Sequence, residues 1–212
     1  RTGSAYYLSP KELKKFGYTD ISRMLRAVPG VNIYEEDGYG LRPNISLRGT
    51  KAERSERISL MEDGILAAPA PYAAPAAYYF PNVARMYAIE VLKGSSQVQY
   101  GPFTTGGAVN MVSTPIPKSF QAGLRTSYGS FGTFNTYAHL GSDHKHVGYL
   151  VEYLRYQSKG FKKDEPNERT GFYRNDVVGK LRLHSGEDAE LRQALELKLG
   201  FSNEHSDESY VG

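Results

Sequence analysis

Residues 89–110, with the sequence IEVLKGSSQVQYGPFTTGGAVN, contain two short strand patterns separated by turns. The first pattern covers residues 88–92 and ends at Lys93-Gly94, and the second covers residues 108–112, directly after Gly106-Gly107. Glycine marks these ends because it accepts the backbone conformations of sharp turns without steric strain. The stretch therefore predicts two strands in a unit rich in tight turns.

Three upstream segments also place a helix or strand pattern before a glycine. They are residues 24–31 (MLRAVPGV), 44–49 (NISLRG) and 58–65 (ISLMEDGI). Two helices are predicted in the same region. Ser9 and Glu12 form a capping box with Pro10 at the first helical position, and Thr19 is placed to cap a helix that ends before Pro29-Gly30. The first half of the chain is thus predicted to have an α+β fold of short helices and short strands.

The second half, after Pro115-Ile116-Pro117, follows a period of two. Apolar or aromatic residues alternate with polar ones over residues 120–128, 134–140 and 173–183. Residues 191–201 are ambiguous: the composition of residues 187–199 favours helix, but the strict alternation toward Phe201 favours a strand. Such strands fit half of a soluble β-sandwich or the wall of a membrane β-barrel, with one face toward lipid and the other toward water.

The composition excludes several classes of protein. The chain has 212 residues, with 26 basic residues against 23 acidic residues and no cysteine. The near balance of charge argues against a nucleic-acid binder, and the lack of cysteine excludes a disulfide scaffold, a thiolate metal site and a cysteine nucleophile. Residues 64–84 are uncharged, but four prolines interrupt them, so they are predicted to form an extended loop rather than a transmembrane helix.

No catalytic constellation is predicted. Gly94-Ser95-Ser96 lacks the flanking spacing of a nucleophile elbow, and residues 101–107 lack the Lys-Ser/Thr pair of a phosphate-binding loop. His144 and His146 would share one strand face, but a polar hairpin turn explains them better than a metal site. The sequence therefore favours a protein that is not an enzyme and that has no resident metal or cofactor.

The four glycine-terminated segments together resemble the plug domain of TonB-dependent outer-membrane receptors. The similar family patterns are L-x-x-x-P-G-V for residues 24–31, I-x-I-R-G for 44–49, V-x-V-L-x-D-G-V for 58–65, and I-E-V-x-K-G followed by Y-G and G-G-x-I-N for 89–110. The resemblance implies a plug domain over residues 1–117 and the N-terminal antiparallel strands of a transmembrane β-barrel over residues 118–212. A complete barrel of this family has roughly 22 strands, so we expect the few strands here to belong to a longer protein.

The resemblance implies TonB-energised import across the outer membrane of a Gram-negative bacterium. Within the family, residues 63–81 are similar to receptors of the ferric-citrate and siderophore type, so a ferric chelate is the expected cargo. Arg54, Arg57 and Tyr72 are then the candidate substrate-binding residues, since arginine binds carboxylates through two parallel hydrogen bonds. Iron would enter only as part of the transported chelate.

Three charged residues on or beside plug strands are candidates for contacts with the barrel wall. They are Arg48, Glu90 and Lys93. The resemblance also implies three partners: the ferric chelate, outer-membrane lipid, and TonB, whose binding box is expected upstream of Arg1.

Several alternatives remain open at this point. The same fold could import haem, cobalamin or a sugar. A soluble β-rich binding module could share the motifs by chance. In the loop that carries Arg54 and Arg57, Glu53 and Glu56 could neutralise both arginines and leave an ordinary solvated surface.

Overall fold

The chain folds into two compact units, Arg1–Thr114 and Pro115–Gly212. The structure, a computed structural model, describes residues 4–15, 17–67, 74–76, 79–94, 100, 106–162, 170–186 and 188–207. The first unit combines short helices with short strands, and the second is a sheet of long antiparallel strands that does not close. The predicted fold class is therefore confirmed.

The first unit is built on one five-stranded sheet. Its strands are β1 (Ser4–Leu8), β4 (Ile58–Glu62), β5 (Ile65–Leu66), β6 (Met86–Lys93) and β7 (Gly107–Ser113), while β2 (Val31–Tyr34) and β3 (Asn44–Leu47) form a separate antiparallel ribbon. The strand order is β1-β6-β7-β4-β5, in which only β4 and β7 are parallel. The last of these strands in the chain, β7, thus lies at the centre of the sheet.

Two short helices precede the ribbon, α1 (Pro10–Lys15) and α2 (Ile21–Leu25). The capping box of α1 is confirmed, because the Ser9 backbone N–H donates to Glu12 Oε2 at 2.8 Å. The predicted cap of α2 was wrong by one residue. Asp20 rather than Thr19 is the N-cap, and its Oδ1 accepts a hydrogen bond from the Ser22 N–H at 2.7 Å. Among the described residues, no helix is long and apolar enough to cross a membrane.

A single apolar cluster fills the interior of the first unit. It draws residues from both helices, the sheet and the ribbon, including Leu13, Leu25, Ile45, Leu47, Leu60, Phe80, Ile89, Val91, Val109 and Met111. Fully burying one such side chain contributes about 1.5–3 kcal/mol. The cluster therefore supplies the main stabilisation of a unit whose helices are too short to be stable alone.

The second unit is an antiparallel meander. Its strands are β8 (Gln121–Gly129), β9 (Thr133–Asp143), β10 (Val147–Ser158), β11 (Phe172–His184) and β12 (Ala194–Ser206). Each strand pairs with the next in the chain. The ambiguous segment 191–201 forms most of β12, so the strand interpretation is confirmed. The histidines at 144 and 146 lie in the short turn between β9 and β10.

The two faces of this meander differ in polarity. One face of β10 and β11 is buried and carries ion pairs. Arg174 Nε donates to both carboxylate oxygens of Asp176 at 3.0 and 3.1 Å, and its Nη1 lies 3.3 Å from Glu204 Oε2. The other face is exposed and largely apolar, with Val151, Val177, Leu181, Leu197 and Leu199 among its members. A buried face that carries ion pairs, opposite an exposed apolar face, is the pattern of a membrane barrel wall.

A glycine in the loop after β2 contacts the α2 cap. Gly40 has a φ of +75°, and a Cβ added there would lie 2.3 Å from Asp20 Oδ1. We expect Gly40→Ala to destabilise this region by about 2 kcal/mol, through both the strained backbone and the clash. Hydrogen–deuterium exchange at the α2 amides of the full-length protein measures the loss.

Gly17→Ala is the matched control for this substitution. Gly17 also has a positive φ, +59°, but a Cβ there meets no atom within 4 Å. Only the backbone strain remains, so we expect a loss of about 1 kcal/mol. Equal effects of the two alanines would contradict the proposed contact between Gly40 and Asp20.

The Asp20 cap also predicts a pH dependence. Burial raises the pKa of the Asp20 carboxyl, and the nearby carboxylates of Glu35 and Asp37 act in the same direction, against the hydrogen bonds from Ser22. As the pH rises above about 3.9, the unfolded chain therefore releases this proton before the folded chain does. We expect the stability of α2 to decrease with rising pH until the raised pKa is passed, and exchange rates measured across this window test it.

Asp20→Asn separates this effect from other titrations. Asparagine is an equally good N-cap and carries no charge, so the variant should retain α2 at neutral pH and lose the pH dependence. Identical pH profiles for the variant and the wild type would show that Asp20 is not responsible.

Candidate functional site

The loop between β3 and β4 carries the candidate anion-binding residues. It begins with a sharp turn at Arg48 and Gly49, whose φ angles are +56° and +74°, and it contains a 3-10 turn, Glu53–Ser55. Ser55 is fully buried and fixes the loop to the ribbon: its Oγ donates to the Pro43 carbonyl at 2.8 Å and accepts from the Ile45 N–H at 2.9 Å. The loop is therefore held at its centre, while its charged side chains remain exposed.

The charges of this loop do not cancel. Lys51 and Glu53 form an ion pair at 2.5 Å, which raises the pKa of Lys51 and lowers that of Glu53. Arg57 lies 3.4 Å from its neighbour Glu56. Glu53 thus pairs with Lys51 rather than with Arg54, and the exposed Arg54 side chain has no ion pair within the described residues. The loop keeps an excess positive charge that suits a carboxylate-rich ligand.

Backbone contacts orient Arg54. Its N–H donates to Asn44 Oδ1 at 2.6 Å, and its φ is +50°. A positive φ is uncommon for a residue with a Cβ, so the surrounding hydrogen bonds hold this conformation. Tyr72, the third candidate, lies outside the described residues. The binding role of these three residues stays a prediction.

Three of the sequence motifs meet at one point of the first unit. The Lys93 ammonium donates to the Pro29 carbonyl, and the Arg48 N–H donates to the Gly30 carbonyl at 3.0 Å. A Cβ added at Gly94 would lie 3.2 Å from both terminal nitrogens of Arg48, so the guanidinium lies over this glycine. The Pro-Gly, Arg-Gly and Lys-Gly pairs of the sequence are thus one tertiary cluster.

The three predicted plug–barrel contacts are placed differently in the first unit. Arg48 is exposed, Glu90 is half-buried and Lys93 is buried at 6% exposure. Arg48 therefore presents its charge to solvent, whereas Lys93 already has a partner in the Pro29 carbonyl. A contact with a barrel wall stays a prediction for all three.

A second cluster joins the remaining motifs around Asn110. Its Oδ1 accepts from the Gly64 N–H at 2.8 Å, and its Nδ2 donates to Glu90 Oε2 at 2.9 Å. Asp63, with a φ of +53°, accepts from the Ser113 N–H at 2.9 Å. The Asp-Gly turn after β4 is therefore hydrogen-bonded to β7, and β7 to β6.

A buried ion pair that sequence reasoning missed lies beside this cluster. Arg85 Nη1 and Nη2 donate to Glu62 Oε1 and Oε2 at 2.6 and 2.8 Å, and Nη2 also donates to Tyr79 OH at 3.0 Å. The Arg85 side chain is only 3% exposed. The available signal was its position, since Arg85 is the first charged residue after the uncharged run 64–84. Within the described residues, no group of three or more acidic, histidine or cysteine side chains could hold a metal ion.

Comparison with known proteins gives a family match and one curated relative. A model of the TonB-dependent receptor plug domain matches residues 1–108. The vitamin B12 transporter BtuB of Photobacterium profundum is 24% identical over 184 residues, which cover 85% of this chain and 30% of BtuB.

Solved structures with the same fold include two iron receptors. The ferric yersiniabactin uptake receptor FyuA from Yersinia pestis aligns with a TM-score of 0.76 and 21% identity, covering 98% of this chain and 33% of FyuA. The unliganded ferric citrate transporter FecA aligns with a TM-score of 0.72 and 23% identity, covering 94% of this chain and 31% of FecA. The chain thus spans about a third of the length of these proteins.

The buried Glu62–Arg85 pair predicts a non-additive mutational effect. Either Glu62→Leu or Arg85→Met leaves one buried charge without its partner, so we expect each to destabilise β4 and β6 by about 3–5 kcal/mol. The double variant removes both charges and should cost less than either single change. Hydrogen–deuterium exchange at residues 58–62 and 86–93 measures all three.

Tyr79→Phe is the control for this cycle. It removes one neutral hydroxyl from Arg85 and keeps the ion pair, so we expect a loss of only about 1 kcal/mol. Additive losses in the double variant would contradict a direct Glu62–Arg85 interaction.

Proposed function

This chain belongs to the TonB-dependent receptor plug domain family, and we propose that it forms the plug and first barrel strands of a receptor that imports a ferric chelate. The family match over residues 1–108 carries the proposal. Receptors of this family lie in the outer membrane of Gram-negative bacteria, and that is the location of this chain. We assign the plug to residues 1–117 and the barrel strands to residues 118–212.

The proposed mechanism is a shift between two states of the plug. The chelate binds the plug and barrel loops on the outer face and favours a state in which the TonB box is accessible. TonB, driven by the proton gradient across the inner membrane, then pulls on the plug and opens a path. Because a ligand shifts an equilibrium only through unequal affinity for its two states, the chelate must bind the signalling state more tightly. No bond of the cargo is made or broken, so the protein needs no catalytic residue.

The charge of the loop between β3 and β4 supports a carboxylate-rich chelate. Arg54 and Arg57 are exposed on a loop that buried Ser55 holds in place, so their guanidinium groups can meet an anion without reorganising the backbone. Because the backbone of this loop is already held in place, less conformational entropy is lost when a ligand binds. The solved structures of similar fold include a ferric citrate transporter and a ferric yersiniabactin receptor, which is consistent with such a cargo.

Cobalamin is the alternative cargo that a specific observation favours. The curated relative is named as a vitamin B12 transporter, and it is 24% identical to this chain. Membership of the plug family removes the support for a soluble binding module.

A ligand panel tests the cargo. The full-length receptor in detergent is titrated with ferric citrate, other ferric chelates, cobalamin and haem, and binding is followed by intrinsic fluorescence. We expect saturable binding of a carboxylate-type ferric chelate. Arg54→Ala should lose about ten-fold in affinity, because it removes a charge-assisted bidentate contact from the arginine that has no ion pair within the described residues.

Lys51→Ala provides the matched control in the same loop. Lys51 already pairs with Glu53, so its removal should change the affinity by less than about two-fold. Binding of cobalamin with no response to any ferric chelate would overturn the iron assignment. Equal losses for Arg54→Ala and Lys51→Ala would show that only the net charge of the loop matters.

A further inference from the structure

The apolar face of the second unit carries one permanently charged side chain among its strands. On β10 the positions of this face are Val147, Tyr149, Val151, Tyr153, Arg155 and Gln157, and the positions of β8, β9, β11 and β12 that share the face contain no Lys, Arg, Asp or Glu. His205 is the other titratable cationic group on this face, and it lies 3.3 Å from Asp207, just past the end of β12. Arg155 is therefore an isolated charge on an otherwise uncharged face.

Arg155 lies where the apolar part of this face ends. Its neighbours across the sheet are Thr136 on β9 and Asn175 on β11, and the next pair toward the strand ends comprises Phe134 and Tyr173. On its other side, Tyr153 pairs with Ala138 and Val177, and no neighbour on this face carries a charge along the rest of β10. A lipid-facing apolar band that passes into polar and aromatic residues marks the level of the lipid headgroups.

The guanidinium of Arg155 is held rigidly by neutral groups. Its Nη1 donates to Asn175 Oδ1 at 2.9 Å, and its Nε and Nη2 donate to Gln157 Oε1 at 3.0 and 2.6 Å. It also lies over the ring of Tyr173, 5.3 Å from the centroid. None of these partners carries a negative charge, so the cation is oriented without being neutralised.

The remaining donors of this group match a phosphate. Arginine has five N–H groups, and within the described residues the contacts to Asn175 and Gln157 use three of them. One N–H on each terminal nitrogen is left, which is the number that a bidentate phosphate contact requires. The same end of the sheet also exposes Phe131 and Phe161, whose ring centroids are 6.2 Å apart.

We propose that Arg155 binds a phosphate group of the phosphorylated glycolipid that forms the outer leaflet of the membrane. The long connection between β10 and β11, residues 159–171, leaves this end of the sheet, and long barrel loops lie on the outer side. The site is formed by Arg155, Gln157, Asn175 and Tyr173. It goes beyond the import function, because it concerns the lipid around the receptor and not the cargo.

Thermal unfolding in defined lipid tests the proposal. The full-length receptor in neutral detergent is titrated with diphosphorylated lipid A, with its dephosphorylated form, or with inorganic phosphate, and the melting temperature is followed. A ligand that binds only the folded state raises this temperature. We expect a rise with diphosphorylated lipid A alone. Arg155→Gln should shift the half-saturating lipid concentration upward by about ten-fold, since one bidentate charged contact is lost.

Two variants complete the experiment. Arg155→Gln also loses the hydrogen bonds to Asn175 and Gln157, so each protein's lipid titration is measured as the rise above its own melting temperature in neutral detergent. Arg192→Gln, which removes an arginine between β11 and β12 at the opposite end, should leave the lipid titration unchanged. A wild-type protein that does not respond to diphosphorylated lipid A, or an identical titration for Arg155→Gln, would overturn the proposal. Equal protection by inorganic phosphate would overturn it as well, by showing a free-anion site instead.

Discussion

The side-chain amide of Asn110 is the contact on which the architecture of the first unit depends. It accepts from the Gly64 N–H and donates to the Glu90 carboxylate, so one residue on the central strand β7 satisfies groups on both sides of it. The asparagine amide supplies both a donor and an acceptor on one short side chain. Aspartate would repel Glu90, and an apolar residue could make neither hydrogen bond. Asn110 is itself buried, so its amide left without these hydrogen bonds would cost about 1–3 kcal/mol. The side-chain hydrogen bonds of the final Asn therefore join the Asp-Gly turn to the Ile-Glu-Val strand.

Local patterns were sufficient to predict the strands that carry strong alternation or clear boundaries. The capping box at Ser9 and the strand character of residues 191–201 could be read from short-range preferences. In contrast, β1 and β5 were not predicted, because each is a strand only through its pairing with another strand. β1 pairs with β6, whose paired residues lie more than 80 positions later in the sequence, and the two residues of β5 form a hairpin with β4. The misplaced cap of α2 shows the same limit. Thr19 and Asp20 are both good caps, and only the tertiary packing that buries Asp20 decides between them.

The sequence indicated which residue types form the candidate site, but not which of the charged side chains pair with each other. The sequence placed two arginines near two glutamates, which suggested mutual neutralisation. The fold pairs Glu56 with Arg57, as that interpretation expected, but it pairs Glu53 with Lys51 rather than with Arg54. It also fixes the loop through buried Ser55, a residue that no sequence motif singled out. The Glu62–Arg85 pair was missed for a related reason. Its members are separated by an uncharged, proline-rich segment, and no periodicity connects residues across such a segment. On the apolar face of the second unit, by comparison, the isolated position of Arg155 follows from strand alternation once the register of β9, β10 and β11 is known.

The central position of β7 has a consequence for the order in which the chain acquires its structure. Ile58 pairs with Gly107, and Ser4 pairs with Lys93, so two of the four strand pairings in the first sheet, β4–β7 and β1–β6, join residues far apart in the sequence. Before Gly107–Ser113 is available, the β4–β5 hairpin and the β1–β6 pair have no strand between them and cannot form one sheet. The meander of the second unit, by contrast, can grow hairpin by hairpin from local pairings. Because the entropy of closing long loops slows folding, the first unit should be the later of the two to become ordered, although it is the earlier to leave the ribosome.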